Sequence, residues 1–147
     1  MKKVKILNSL EKSGVIAVVR AKDYKSTIEY CEALIEGGIT GLEITFTIPS
    51  AQEIIKELSE KYKDKKDIII GAGTVLDSTT ARIAIMAGAK YIVSPSFNLE
   101  TCQVCNLYQI PYLPGCFTMT EITTALNAGV DIVKVFPGNS CSPSVIK

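Results

Sequence analysis

Ala125-Leu-Asn-Ala-Gly129-Val-Asp-Ile-Val-Lys134 has two earlier counterparts in the chain, Ala33-Leu-Ile-Glu-Gly-Gly38-Ile-Thr-Gly-Leu-Glu43 and Ala84-Ile-Met-Ala-Gly88-Ala-Lys-Tyr-Ile-Val93. Each reads as the end of a helix, a glycine suited to a left-handed cap, and then a strand. Counting five residues past the glycine lands on Glu43, Val93 and Lys134, equivalent positions on the second, fourth and sixth strands of the chain. In an eight-stranded parallel barrel, alternate strands supply side chains to the same interior layer. A glutamate and a lysine at one height on non-adjacent strands then both point at the barrel axis, where they can meet. An open, doubly wound sheet shares the strand–helix alternation but gives no reason for that placement, so the barrel is the favoured reading.

Working outward, six apolar stretches read as strands: Val15–Arg20, Gly41–Thr45, Ile68–Gly71, Tyr91–Ser94, Pro111–Leu113 and Asp131–Phe136. They are short, rich in Ile and Val, and mostly continuous rather than alternating, as strands covered on both faces are. Between them lie helical patterns, with Ile28, Cys31, Leu34 and Ile35 on one face and Ile54, Ile55 and Leu58 on another. Ser50-Ala-Gln-Glu53 and Thr118-Met-Thr-Glu121 have the form of capping boxes, and Asp23, Asp77 and Asn98 are N-cap candidates. Short loops between alternating strands and helices predict an α/β fold with parallel strands and right-handed crossovers.

Composition narrows the chemistry. The 147 residues are 47% apolar, with 16 Lys+Arg against 15 Asp+Glu, a net charge of +1 and no histidine. This is enough apolar content for a core, and too little net charge to argue for nucleic acid or an anionic membrane. No apolar run approaches the length of a membrane span, and Val15–Val19 is too short for the core of a signal peptide. Without histidine there is no Ser-His-Asp triad, Cys-His dyad or HExxH site, so proton transfer falls to Glu, Asp, Lys, Tyr, Cys or water. The five cysteines, Cys31, Cys102, Cys105, Cys116 and Cys141, are odd in number and irregularly spaced, which fits a reducing cytoplasm. Cys102 and Cys105 form a CxxC with no second pair to complete a zinc site, and they read as small apolar residues of a helix face; no metal is expected. Lys61-Tyr-Lys-Asp-Lys-Lys66 reads as a solvated helix end rather than a binding patch.

Several residues could carry chemistry. Lys134 lies in a predicted buried strand, where lost hydration favours the neutral, nucleophilic amine; the plainer reading is a lysine that snorkels out at a strand end. Glu43, in Leu42-Glu-Ile-Thr45, is either a structural ion-pair partner of Lys134 or Arg20, or a general acid/base tuned by that neighbour. Arg20 ends the first strand, where it suits a carboxylate or phosphate or simply caps the strand in solvent. Gly71-Ala-Gly73-Thr74 lacks the third glycine of a dinucleotide fingerprint, but its small residues and terminal hydroxyl would let a ligand approach the backbone. Ser94-Pro95 and Phe136-Pro137-Gly138 end the fourth and sixth strands.

Six segments taken in order carry a resemblance: Ile16-Ala-Val-Val-Arg20, Leu42-Glu-Ile-Thr45, Gly71-Ala-Gly-Thr74, Ile92-Val-Ser-Pro95, Leu113-Pro-Gly115 and Lys134-Val-Phe-Pro-Gly138. Together they resemble the 2-keto-3-deoxy-6-phosphogluconate (KDPG) and 4-hydroxy-2-oxoglutarate (KHG) aldolase family of class I, Schiff-base lyases. The resemblance implies a (β/α)8 barrel, usually a homotrimer, cytoplasmic, with no metal or organic cofactor and with pyruvate and an aldehyde as products. It implies Lys134 as the Schiff-base lysine and Glu43 as the proton shuttle. Thr74 would help bind the pyruvoyl carboxylate, with Thr45, Pro95 and Phe136 shaping the pocket. Some members carry a binding arginine four residues after the glutamate; here that position is Thr47, and Arg20 is expected to take the anionic contact. Residues 1–147 are expected to form one partial barrel domain with six of eight βα units. A further helix is expected to start near Ser142, and the phosphate-binding seventh and eighth strands are expected to be absent. An inactive aldolase fragment, or a barrel using the Glu–Lys pair structurally, are the competing expectations.

Overall fold

A computed structural model describes residues 1–145 of the chain. Six parallel strands are present: β1 (Ile16–Val19), β2 (Gly41–Thr45), β3 (Ile69–Gly73), β4 (Ile92–Ser94), β5 (Tyr112–Cys116) and β6 (Lys134–Val135). Six helices accompany them: α1 (Lys2–Ser13), α2 (Tyr24–Glu36), α3 (Ala51–Lys61), α4 (Ser78–Met86), α5 (Leu99–Leu107) and α6 (Met119–Asn127). The strands pair in the order β1-β2-β3-β4-β5-β6. A doubly wound sheet reverses its strand order at a switch point. Here every new strand joins the same side, so right-handed crossovers keep the helices on one face while the other curls inward as an arc of a (β/α)8 barrel.

The repeated glycines do what their positions require. Gly38, Gly88 and Gly129 have φ of +93°, +110° and +88°, a region that side chains with a Cβ rarely enter. Each reverses the chain between a helix and the next strand. Asp23, Asp77 and Asn98 cap α2, α4 and α5 by accepting from the backbone N–H of Ser26, Thr80 and Thr101. Thr118 and Glu121 form the expected reciprocal capping box on α6.

Some expectations need correction. Ser50 makes no side-chain cap on α3, because its backbone is left-handed at φ +61°. β3 and β5 run further than their apolar stretches, through Gly73 and Cys116. β6 is only two residues long and half-buried, and it has a neighbour on one side only among the described residues. Lys134 is therefore half-buried rather than enclosed. The C-terminal segment makes short 3-10 turns at Gly138–Ser140 and Pro143–Val145; the rest of the expected helix lies outside the described residues.

Helix α1 was not expected from the lysine-rich N-terminus. It buries Ile6 and Leu10 and is tied down by Lys3, whose ammonium pairs with Asp131 at 2.6 Å and donates to Asn106 Oδ1 at 3.2 Å. Leu7 and Leu10 of α1 line a cavity with Ile16, Leu113 and Ile132, so the helix lies across the N-terminal ends of β1, β5 and β6. The core between sheet and helices includes Leu42, Ile44, Ile54, Ile55, Leu58 and Ile92, none of them exposed at all. Among the described residues no helix is long and apolar enough to cross a membrane.

Candidate active site

Because all six strands are parallel, their C-terminal ends share one rim. Arg20 directly follows β1, Thr45 ends β2, Thr74 follows β3, Pro95 follows β4 and Phe136 follows β6. This is the rim on which barrel enzymes build their active sites.

Glu43 sits one level below the rim, in the middle of β2, with Val18 of β1 and Gly71 of β3 as its register partners. It is only 4% exposed. The bore has room for it because β3 carries no side chain where the glutamate lies: a Cβ on Gly73 would overlap Oε1 and come within 2.6 Å of Cγ of Glu43. The next strand fills the space below. A Cβ on Gly71 would run into the ring of Tyr91, which is fully buried and whose hydroxyl donates to the Leu42 carbonyl at 2.8 Å. Gly71 and Gly73 thus make room for protein side chains, where the sequence pointed to a ligand approaching the backbone.

Among the described residues no hydrogen bond or ion pair reaches the Glu43 carboxyl. Burial pushes its pKa above the ordinary carboxylate range, and the charges of Lys134 and then Arg20 partly oppose this. Three residues from β2, β6 and the end of β1 therefore share one electrostatic environment across the bore. Burial, and then the nearby Glu43, also push the Tyr91 phenol well above its usual range, so it remains a hydrogen-bond donor.

Lys134 pairs in register with Gly115, and its ammonium lies 5.0 Å from the centre of the Phe136 ring, a cation–π distance. Two residues apart on a strand, these side chains share a face. Gly115 is needed in turn, since a Cβ there would overlap the Pro95 carbonyl. Pro95 is half-buried, and the loop after it is organised by Tyr112, whose hydroxyl bonds Ser94 Oγ at 2.6 Å and accepts from the Asn98 N–H at 3.2 Å. Thr74 is half-buried with φ +54°, a strained conformation for a β-branched residue. Thr45 is fully buried, its hydroxyl donating to the Val19 carbonyl at 3.3 Å and pairing with Thr47 at 2.8 Å, so it braces β1 against β2. Arg20 is exposed and lines a groove of about 420 Å³ with Val18, Tyr30 and Leu34 along the free edge of β1.

The sequence reading missed Tyr91 as part of the site, and assigned the space at Gly73 to a ligand rather than to Glu43. A Gly-x-Gly ending one strand with an aromatic opening the next, Gly71-Ala-Gly73 and Tyr91, was the available signal. Among the described residues no group of three or more Cys, Asp or Glu is placed to hold a metal ion.

Comparison with known proteins matches residues 6–145 to the family described as KDPG and KHG aldolase. A 2-dehydro-3-deoxy-phosphogluconate aldolase of Treponema pallidum is 37% identical over 134 residues, covering 91% of this chain and 62% of that protein. A 2-dehydro-3-deoxy-6-phosphogalactonate aldolase of Escherichia coli is 32% identical over 136 residues, covering 92% and 65%. Among solved structures, the KDPG aldolase of Legionella pneumophila, with pyruvate captured as a covalent carbinolamine, superposes with a TM-score of 0.80 at 28% identity, covering 95% of this chain and 65% of that one. The chain spans less than two thirds of the length of these relatives.

Proposed function

Since the chain belongs to the KDPG and KHG aldolase family, we propose that it is the imine-forming part of a class I aldolase, cleaving a 2-keto-3-deoxy-4-hydroxy acid reversibly to pyruvate and an aldehyde. The substrates are 2-keto-3-deoxy-6-phosphogluconate or 4-hydroxy-2-oxoglutarate, and the aldehydes glyceraldehyde 3-phosphate or glyoxylate. The observation that carries this reading is the placement of Glu43 and Lys134 on non-adjacent strands, near enough for the lysine's charge to act on the buried carboxyl.

The unprotonated amine of Lys134 attacks the keto carbon and gives a carbinolamine, which loses water to an iminium. The iminium draws electrons from the C3–C4 bond, which breaks to an enamine as the C4 hydroxyl gives up its proton and leaves as the aldehyde. Glu43 moves protons at the carbinolamine, the C4 hydroxyl and the enamine carbon. Its raised pKa suits this work, because a carboxyl that exchanges its proton nearer neutrality serves both as acid and as base. Water then hydrolyses the pyruvate iminium and frees the lysine.

Thr74 and Arg20 bind the anionic end of the substrate. The strained backbone at Thr74 sets its hydroxyl at the rim, and Arg20 offers a planar fork from the neighbouring arc. Phe136 and Pro95 form the walls, and Thr45 acts through the position of β1. Five free cysteines support residence in the reducing cytoplasm, and membership of the family supports a homotrimer.

The test uses a substrate without a phosphate. The chain is given 4-hydroxy-2-oxoglutarate and pyruvate release is followed. Release by the parent chain and none by Lys134→Ala supports the proposal; equal release by both contradicts it. The open edges of β1 and β6 favour one further reading, an inactive fragment in which the Glu–Lys pair is only structural. That reading predicts no release and no covalent intermediate.

A further inference from the structure

At the opposite end of the sheet from Glu43 lies a cavity of about 210 Å³. Its rim carries Lys5 from α1, Lys63, Lys65 and Lys66 from the turn between α3 and β3, and Lys90 from the turn before β4. No carboxylate is among the residues lining it. Lys63 is paired with Glu60, whereas Lys5, Lys65, Lys66 and Lys90 form no ion pair among the described residues. The floor is apolar, made by Leu58, Ile69 and Ile70, with the ring of Tyr62 as one wall. Ser59 also lines the cavity, and its hydroxyl oxygen is buried without a hydrogen-bond partner.

These features belong together. Four cations converging from three separate parts of the chain repel one another, and a bound anion relieves that repulsion. A monoanion leaves most of their charge uncompensated, whereas a phosphate monoester brings up to two negative charges and several acceptor oxygens. The apolar floor and aromatic wall suit the body of the same molecule. A half-open cavity of this size fits a small molecule rather than a polymer.

We infer that this cavity binds a small phosphate monoester with an apolar or aromatic body, at a site separate from the catalytic rim. The lysines hold the phosphate, and Tyr62 and the isoleucines cover the body. Lys61, Lys63, Lys65 and Lys66 are exposed, as a solvated helix end is expected to be, and folding brings Lys5 and Lys90 to the same cavity.

The test titrates the full 147-residue chain with phenyl phosphate, inorganic phosphate and phenol, following amide chemical shifts. Expected is saturable binding of phenyl phosphate with shifts at Ser59, Tyr62 and Lys90, binding of inorganic phosphate about tenfold weaker, and none of phenol. The double variant Lys5→Gln/Lys90→Gln weakens phenyl phosphate by about tenfold or more. Should that variant fail to fold, Lys65→Gln/Lys66→Gln in the exposed turn gives the same loss. Absence of saturation, equal binding of phenyl phosphate and inorganic phosphate, or unchanged affinity in the folded lysine variants overturns the inference.

Discussion

Gly73 and Glu43 occupy a single space: any side chain on the glycine would stand where the glutamate's carboxyl stands. The carboxyl is buried in the bore because the neighbouring strand leaves it room. Gly73→Ala must therefore push Glu43 aside or distort β3. The expected cost is about 1–3 kcal/mol of stability, as for other overpacked cores. Exchange of the pyruvate methyl protons in deuterated water, which reports proton transfer at the enamine carbon, is expected to fall by about a hundredfold. Exchange at the parent rate in a folded Gly73→Ala protein would separate Glu43 from that step.

The buried carboxyl also sets a pH dependence. In the unfolded chain Glu43 ionises near its ordinary value of 4.5, and in the folded chain burial holds the proton to higher pH. Between these values the folded state binds more protons than the unfolded state, so stability falls as pH rises through the window. Glu43→Gln removes this loss. The variant is expected to be more stable than the parent at pH 7, with the advantage vanishing below about pH 4. Urea denaturation at the two pH values checks both the sign and the window.

Much of this arrangement is legible in the sequence, for local reasons. N-caps at Asp23, Asp77, Asn98 and Thr118 depend on a few adjacent residues, and so do the left-handed glycines. Equal spacing after those glycines signalled that Lys134 and Glu43 lie near enough for the lysine's charge to act on the carboxyl. What stayed hidden depends on distant partners. β3 and β5 continue through Gly73 and Gly115 because Glu43 and the Pro95 carbonyl need those gaps, not because the residues favour strand. Ser50 fails as a cap through its backbone conformation, which its side-chain chemistry does not reveal. The lysine cavity joins residues 85 positions apart, Lys5 and Lys90, which no motif connects.

Thr74 tests whether strain at the rim serves binding. Its positive φ costs about 1 kcal/mol that glycine would not incur. Thr74→Gly is expected to raise the melting temperature by a few degrees while weakening pyruvate binding about tenfold through the lost hydroxyl. Thermal melts and pyruvate-concentration dependence of adduct formation measure the two effects. A variant that binds pyruvate as well as the parent would remove Thr74 from the site.

The cysteines divide by burial. Burial pushes the Cys31 and Cys105 thiols up to about 12, and raises Cys102 and Cys116 as well, whereas Cys141 is half-exposed. Thiolate is the reactive form. Native protein at pH 8 is expected to take up one equivalent of iodoacetamide quickly, at Cys141, and the other four only on unfolding. Rapid labelling of Cys102 or Cys105 would contradict the packed helix face assigned to them.

The central claim is that Lys134 forms a covalent imine with a 2-keto acid. Incubating the folded chain with pyruvate, reducing with borohydride and mapping the product by peptide mass spectrometry tests it most directly. The account predicts a single reduced pyruvate adduct, located on Lys134, absent in Lys134→Ala and formed more slowly in Glu43→Gln. An adduct on another lysine, or none on a cooperatively folded chain, would contradict it.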